Sequence, residues 1–532
     1  VRLKFCGAAQ TVTGSAILVT AKDQQVLIDC GLYQGSKALQ ERNYGPFPFN
    51  PAEIDAVVLT HAHIDHSGLL PKLVKEGFRG PIYATPPTKD LCEIMLADSA
   101  YIQESEVERK NRKLARQNKP LLAPIYTVAD AHATMERFEA VDYYRRVAVT
   151  PNIIAVLRPS GHMLGSALVE LHVVEEEKRI TLLFTGDLGA SNRPIVPDPE
   201  KPGAADFVIM EATYGDRARE EPEDNYIELA RIIKDTFRRG GNVIIPAFAV
   251  ERTQDLLYGL NRLIHSGELA PQNVYVDSPL AVEATRVFAR HVDLFDEEAQ
   301  RFRHFAGDVP IYFPNLRLVR TPEESMQLNK IKSGAVIISA SGMATAGRIK
   351  HHLKHNLWRP ECSVVFVGYQ AEGSLGRQIV DGEPIVRIHG EYVKVQAEIH
   401  QLEGFSAHAD QRELIDWVSR LERLPRAIFL VHGEERALAD LQELLHRRLG
   451  VPIEVPAHLS EYALADTSTQ IASGLATGRF QPTLWSTTRQ LMDVLRELER
   501  ADIPAEELSE LLAQAESLRQ TAIRTLKDGS AA

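Results

Sequence analysis

Along the first 210 residues, apolar and β-branched side chains come in short runs broken by polar turns, a pattern that predicts strands. Positions 1–5 alternate, residues 15–20 are apolar and β-branched, 21–25 are polar, and 26–29 return before Gly31 ends the run. Further short β-rich runs cover 54–60, 81–85, 155–157, 167–174, 180–185 and 207–211. Residues 68–73, after Ser67, and the longer 88–120 read as helical. Short strands with helical stretches between them predict a sandwich of sheets covered by helices. Past Glu211 the rhythm changes. Helical patterns over 223–239 and 252–265 alternate with buried-type strands over 242–246, 274–277, 335–340 and 363–368, as in a parallel α/β sheet. The chain then returns, over 405–432, to histidine-bearing loops and a strand at 427–431. The expected organisation is therefore a first domain built from 1–211 and 396–460, with 212–395 inserted as an α/β domain. Residues 461–532 read as a mainly helical extension. Val494, Leu495 and Leu498 share one helical face there and Leu508, Leu511 and Leu512 another, suited to packing on the body or on a second copy of the chain as a homodimer.

Composition narrows the class. A chain of 532 residues is too long for one simple core. At 44% hydrophobic and 25% charged it is not globally disordered. Its four cysteines (Cys6, Cys30, Cys92, Cys362) form no CxxC pair, which excludes a cysteine zinc ribbon and fits a reducing compartment. A net charge of -12 disfavours indiscriminate binding to nucleic acid or acidic membranes, while leaving room for a local basic groove. Arg109, Lys110, Arg112, Lys113, Arg116 and Lys119 form one basic cluster, readable as a polyanion contact or as a solvated helix face. No secretory segment is visible and no apolar run approaches the ~20 residues of a membrane span, so a cytoplasmic enzyme without a membrane partner is expected.

The chemistry concentrates in Thr60-His61-Ala62-His63-Ile64-Asp65-His66-Ser67-Gly68. Three histidines and an aspartate in six residues follow a strand. His61 and His63, two apart, can approach one metal from the same side, and Asp65 and His66, displaced along the loop, can face a second. Imidazole nitrogen and carboxylate oxygen suit a borderline ion such as zinc.

His61–His66 is the HxHxDH signature of the metallo-β-lactamase superfamily. Asp29, His162 after Gly161, and Asp187 in Thr185-Gly186-Asp187 resemble its other site motifs in order. Glu211 in Glu211-Ala212-Thr213-Tyr214-Gly215, His408 in Phe405-Ser406-Ala407-His408-Ala409-Asp410, and His432 in Val431-His432-Gly433-Glu434 resemble the motifs of its β-CASP branch. Over about residues 1–455 the chain resembles bacterial β-CASP ribonucleases related to the nuclease subunit of the pre-mRNA cleavage machinery. The resemblance implies an αββα metallo-β-lactamase sandwich with an inserted β-CASP α/β domain. It implies two zinc ions: one held by His61, His63 and His162, the other by Asp65, His66 and His432, with Asp187 bridging. Among the catalytic candidates Asp65, Asp187, His408, Glu211 and Asp29, it makes His408 a general acid, or a substrate anchor, oriented by Glu211. Asp29 reads as an acceptor orienting ligand histidines or as a satisfied strand-end aspartate.

In the inserted segment, Ser341, Gly342, Thr345 and Arg348 lie in a small-residue turn after a buried strand, where backbone N–H groups can seat a phosphate. Arg252 reads as a further phosphate contact or as an ion pair with Glu251 or a neighbour. The implied activity is hydrolysis of single-stranded RNA through a two-metal-activated water, in RNA processing or decay, by endo- or exonucleolytic cleavage. The alternatives are a β-CASP DNA nuclease, against which the resemblance at His432 argues, and a catalytically silent RNA-binding scaffold, against which the full set of ligand types argues.

Overall fold

The computed structural model describes residues 1–175, 178–218, 225–464 and 472–473. Two sheets stack face to face. The first runs, in order, Glu461–Ala463, Arg2–Phe5, Ile17–Ala21, Gln24–Ile28, Ala56–Val58, Ile82–Ala84 and Phe138–Ala140, antiparallel up to Gln24–Ile28 and parallel beyond it. The second runs Ile453–Glu454, Ala427–Val431, Phe207–Glu211, Lys178–Phe184, Ala167–Glu175, Ile153–Pro159 and Arg146–Thr150. Strand alternation divides each sheet between two cores. In Phe207–Glu211, Phe207 and Ile209 face the other sheet with Phe5, Val26, Val58, Val169 and Phe429. Val208 and Met210 face outward, onto Leu414, Trp417, Leu441 and Leu445 of the helices Gln411–Ser419 and Glu435–Leu449. On the opposite outer face Leu27, Val57 and Leu59 pack with Leu91, Met95 and Leu96 of the helix Pro86–Ala115. Helix, sheet, sheet, helix is the αββα sandwich the sequence implies.

The inserted segment builds a third sheet whose six strands are all parallel: Leu316–Val319, Asn273–Asp277, Ala335–Ser339, Val243–Pro246, Ser363–Phe366 and Glu398–Gln401. Its central strands are buried on both faces, which is why they read as continuous apolar runs. The insertion is anchored by one pairing. Phe207–Glu211 lies parallel to Ala427–Val431 with Glu211 opposite Val431, so the chain leaves and re-enters the second sheet on neighbouring strands. Histidines far along the sequence thereby reach the loops at the ends of the first strands.

Three expectations shift. Glu398–Gln401, assigned to the second part of the first domain, is the edge strand of the third sheet, so the insertion runs past residue 395. Glu461–Ala463, assigned to the tail, pairs antiparallel with Arg2–Phe5 and extends the first sheet. The helical faces expected at Val494–Leu498 and Leu508–Leu512 lie outside the described residues. The long helix ends at Ala115, and its basic residues Arg109, Lys110, Arg112 and Lys113 are exposed, with Lys110 and Arg112 pairing Glu106 and Glu108 at 3.5 and 3.4 Å as on a solvated face. No helix among the described residues is long and apolar enough to cross a membrane.

Candidate metal centre

The strand Ala56–Val58 delivers Thr60 and His61 into a loop that turns at His63 into the short helix Ile64–Ser67, so His61 and His66 end up buried. Asp187 follows Lys178–Phe184 through Gly186. Gly186 has φ +53°, and a Cβ there would come 2.7 Å from the Thr60 side chain, so glycine alone brings Asp187 this close to the histidine loop.

Four ligand atoms converge in one group. His63 Nδ1 lies 3.1 Å from His61 Nε2 and 3.1 Å from His162 Nε2, and Asp187 Oδ2 lies 3.5 Å from each of the latter two. A second group adjoins it. His66 Nε2 is 3.3 Å from His432 Nε2 and 3.2 Å from Asp187 Oδ1, and His432 Nε2 is 3.4 Å from Asp65 Oδ2. Donors ~2.0–2.2 Å from a tetrahedral zinc-type ion stand ~3.3–3.5 Å from one another, and the separations in the two groups, 3.1–3.5 Å, lie at or just below that spacing. Asp187 offers one oxygen to each. Its Oδ1 is buried and close to His66 yet accepts no well-directed hydrogen bond, as expected of donors aimed at a common centre rather than at each other. The residues therefore fit metal binding.

Burial first, and then neighbouring imidazoles, push His61 and His162 well below the usual imidazole value, and burial takes His63 down to about 4. All three are thus neutral near pH 7, the form that coordinates a cation. Burial would raise Asp187, but the imidazoles of His432 and His66 hold it well below the usual carboxylate range.

A surrounding layer orients these ligands. Asp29 Oδ2 lies 2.7 Å from His66 Nδ1, and the carboxylate also accepts from Thr60 N, Thr60 Oγ1 and Ser15 Oγ at 2.8, 3.0 and 3.2 Å. Having donated to Asp29, Thr60 Oγ1 can accept from His61 Nδ1 at 3.1 Å. Thr213 Oγ1 donates to the His432 carbonyl and faces His432 Nδ1, both at 3.1 Å, leaving Nε2 for the centre. Both threonines lie inside the motif segments, but the sequence assigns neither of them a role.

His408 stands one step outside. Its Nδ1 is 3.2 Å from Glu211 Oε1 and its Nε2 is 3.9 Å from Asp187 Oδ2. Glu211 is fully buried and held in turn by the N–H groups of Leu188 and Thr213, at 2.6 and 3.2 Å. Burial alone would lower the His408 imidazole, but Glu211 and Asp187 more than offset it and lift it to about 10.

The expected phosphate contacts divide. Ser341, Gly342 and Thr345 lie on a loop after Ala335–Ser339, with Ser341 Oγ 3.4 Å from Thr345 Oγ1. Arg348 donates instead to Asp277 Oδ1 and to the Arg320 carbonyl at 2.7 and 2.8 Å, anchoring the loop. Arg252 is buried, pairs Asp255 at 3.0 Å and lies 5.7 Å over the Phe405 ring. Beside it, Arg193, which no sequence signal marks, donates to the His162 carbonyl at 2.6 Å and Asp255 Oδ2 at 2.8 Å and pairs Glu251. Arg193 thus ties the His162 turn to the first turn of the helix Arg252–His265. Arg193→Ala removes the buried partner of Glu251 and leaves Asp255 with Arg252 alone, and chemical denaturation should show a loss of about 3–5 kcal/mol. A loss below about 1 kcal/mol would mean that water or Arg252 replaces it.

Three families match successive parts of the chain: the metallo-beta-lactamase superfamily over residues 10–103, the Beta-Casp domain over 253–379, and the Zn-dependent metallo-hydrolase RNA specificity domain over 392–456. Ribonuclease TTHA0252 of Thermus thermophilus is 42% identical over 443 residues, covering 83% of this chain and 95% of that protein. The transcription termination factors FttA of Methanosarcina mazei and Pyrococcus abyssi are 31% and 33% identical, each match covering 87% of this chain and 72% and 71% of theirs. With its sandwich, its inserted parallel sheet and the donor groups at the ends of the sandwich strands in one chain, the protein belongs to the β-CASP family of the metallo-β-lactamase superfamily.

Proposed function

We propose that this metal-dependent hydrolase is a ribonuclease that cleaves phosphodiester bonds of single-stranded RNA with two zinc ions. One observation carries the reading: two donor groups share the Asp187 carboxylate, with the His408–Glu211 pair beside them. His61, His63 and His162 would hold one ion and Asp65, His66 and His432 the other, with Asp187 offering one carboxylate oxygen to each group. Two such ions lower the pKa of a shared water and offset charge on the attacked phosphate. The chain's own groups do the rest. Glu211 holds His408 Nδ1, which turns Nε2 toward the Asp187 side of the centre, where it can give its proton to the departing ribose oxygen. Asp29, Thr60 and Thr213 fix the ligand rings. The backbone N–H groups, Ser341 and Thr345 of the inserted loop receive a neighbouring phosphate.

RNA is favoured over DNA because the RNA specificity domain match spans both His408 and His432, and because a relative over 95% of its length is named a ribonuclease. A silent scaffold is disfavoured by donor atoms that converge within 4.8 Å in each group. In this reading the αββα sandwich, which takes in Glu461–Ala463, forms the catalytic domain and the inserted sheet, which takes in Glu398–Gln401, the clamp, in a cytoplasmic enzyme that can form a homodimer. The test joins elemental analysis to paired cleavage assays on matched single-stranded RNA and DNA. Two zinc ions per chain and cleavage of RNA alone are expected, and chelation should abolish cleavage. Full activity at one transition-metal ion per chain overturns the two-ion assignment.

A further inference from the structure

Among the exposed aromatic rings outside the metal centre, two stand on neighbouring strand ends of the inserted sheet, with their backbones held by hydrogen bonds. Phe248 follows the strand Val243–Pro246, and Tyr369 follows its neighbour Ser363–Phe366, so both lie at one end of the parallel sheet. They are 49% and 58% exposed. The Phe248 carbonyl accepts from Thr253 N and Oγ1 at 3.2 and 2.7 Å, which pins it to the following helix. Gln370 Nε2 donates to the carbonyls of Gly342 and Gly368, both at 3.1 Å, which pins the Tyr369 turn to the Ser341–Gly347 loop. Gly342 lies against the Phe248 ring: a Cβ there would approach two ring carbons to 3.2 Å.

The same surface leads to the metal centre. The helix turn that holds the Phe248 carbonyl also carries Asp255, which pairs Arg193 at 2.8 Å, and Arg193 donates to the His162 carbonyl at 2.6 Å. The Arg217 guanidinium, paired with Asp216 at 3.0 Å, lies 5.1 Å over the Tyr214 ring. Tyr214 in turn sits edge-on to His408, ring centres 5.7 Å apart. Rings interleaved with N–H and hydroxyl donors and one guanidinium are what a single nucleic-acid strand needs: flat faces for bases, donors for phosphates. A protein partner would favour the rings in a contiguous apolar patch, whereas here polar loop atoms separate them.

We propose that Phe248 and Tyr369 stack successive bases of the RNA strand as its backbone passes the Ser341–Gly347 loop toward His408. The proposal rests on the ribonuclease reading and adds the surface that grips the substrate irrespective of sequence. The test is fluorescence anisotropy of the zinc-loaded protein with a labelled 2′-O-methyl phosphorothioate oligonucleotide, compared with the same strand made abasic. Phe248→Ala and Tyr369→Ala should each weaken binding of the base-bearing strand about 5- to 150-fold. Phe248→Trp should retain it. All variants should bind the abasic strand as the parent does, with unchanged zinc content and melting temperature. Alanine variants that bind the base-bearing strand normally overturn the track, as do variants that lose both strands equally, since the surface then grips only backbone. A parent protein that binds neither strand overturns the ribonuclease reading itself.

Discussion

Asp187→Ala should lose both ions and cleave RNA at least ~10⁴-fold more slowly, because one carboxylate serves both donor groups. Its Oδ2 stands 3.5 Å from His61 and His162, and its Oδ1 3.2 Å from His66. No other side chain among the described residues belongs to both groups by these distances. A shared water with a pKa near ~7 instead of ~15.7 is ionised ~10⁸-fold more at neutral pH, so loss of both ions removes most of the rate enhancement. Asp187→Asn should be milder for metal content, since one oxygen remains to serve one ion. Asp29→Ala marks the contrast. Asp29 touches His66 only through Nδ1, so its loss should weaken metal binding by about 10- to 100-fold and leave cleavage recoverable at high zinc. Elemental analysis after exchange into metal-free buffer, followed by assays across a zinc titration, separates the three variants. Asp187→Ala retaining two tightly held ions would overturn the bridging role.

Much of this was legible in the sequence because alternation and motif spacing are local. The runs at 207–211, 252–265 and 427–431 coincide with observed elements, since the first and last are short β-rich apolar runs buried throughout and the middle one carries a helical period. What escaped is non-local or too short. Phe138–Ala140 buries one residue and Glu461–Ala463 none, so neither carries an alternation to read. The hairpin Ile385–Ile388 with Glu391–Lys394 was readable: alternating burial flanks His389-Gly390, both at positive φ, the signature of a two-residue turn. Arg252 and Arg348 were sound as residue types for phosphate. Whether a guanidinium faces solvent or a carboxylate depends on which acid the fold brings to it, and Asp255 and Asp277 arrive from the next turn and from another strand. Arg193 lacks any local cue, because its carboxylate partners lie about 60 residues on, in the inserted segment.

His408→Ala should keep both ions and still bind single-stranded RNA, yet turn over about 10²–10⁴-fold more slowly. The geometry separates it from the ligands. Its Nδ1 is committed to Glu211, and its Nε2 lies 3.9 Å from Asp187, against 3.1–3.5 Å among the donor groups. A ribose oxygen leaves poorly unless protonated, and the Glu211 carboxylate favours the charged imidazole that can supply the proton. The deficit should therefore shrink on an activated aryl phosphodiester, whose leaving group needs no proton. His432→Ala should differ in kind. His432 Nε2 faces His66 and Asp65 at 3.3 and 3.4 Å, so its loss should empty one site and impair both substrates alike. Glu211→Gln supplies an intermediate case, with the imidazole held in place but its charge less favoured, so zinc stays while cleavage of RNA falls more than that of the aryl ester. If His408→Ala loses an ion in step with activity, His408 belongs to the metal shell. If it keeps both ions but loses both substrates equally, His408 positions the scissile phosphate instead of protonating the leaving group.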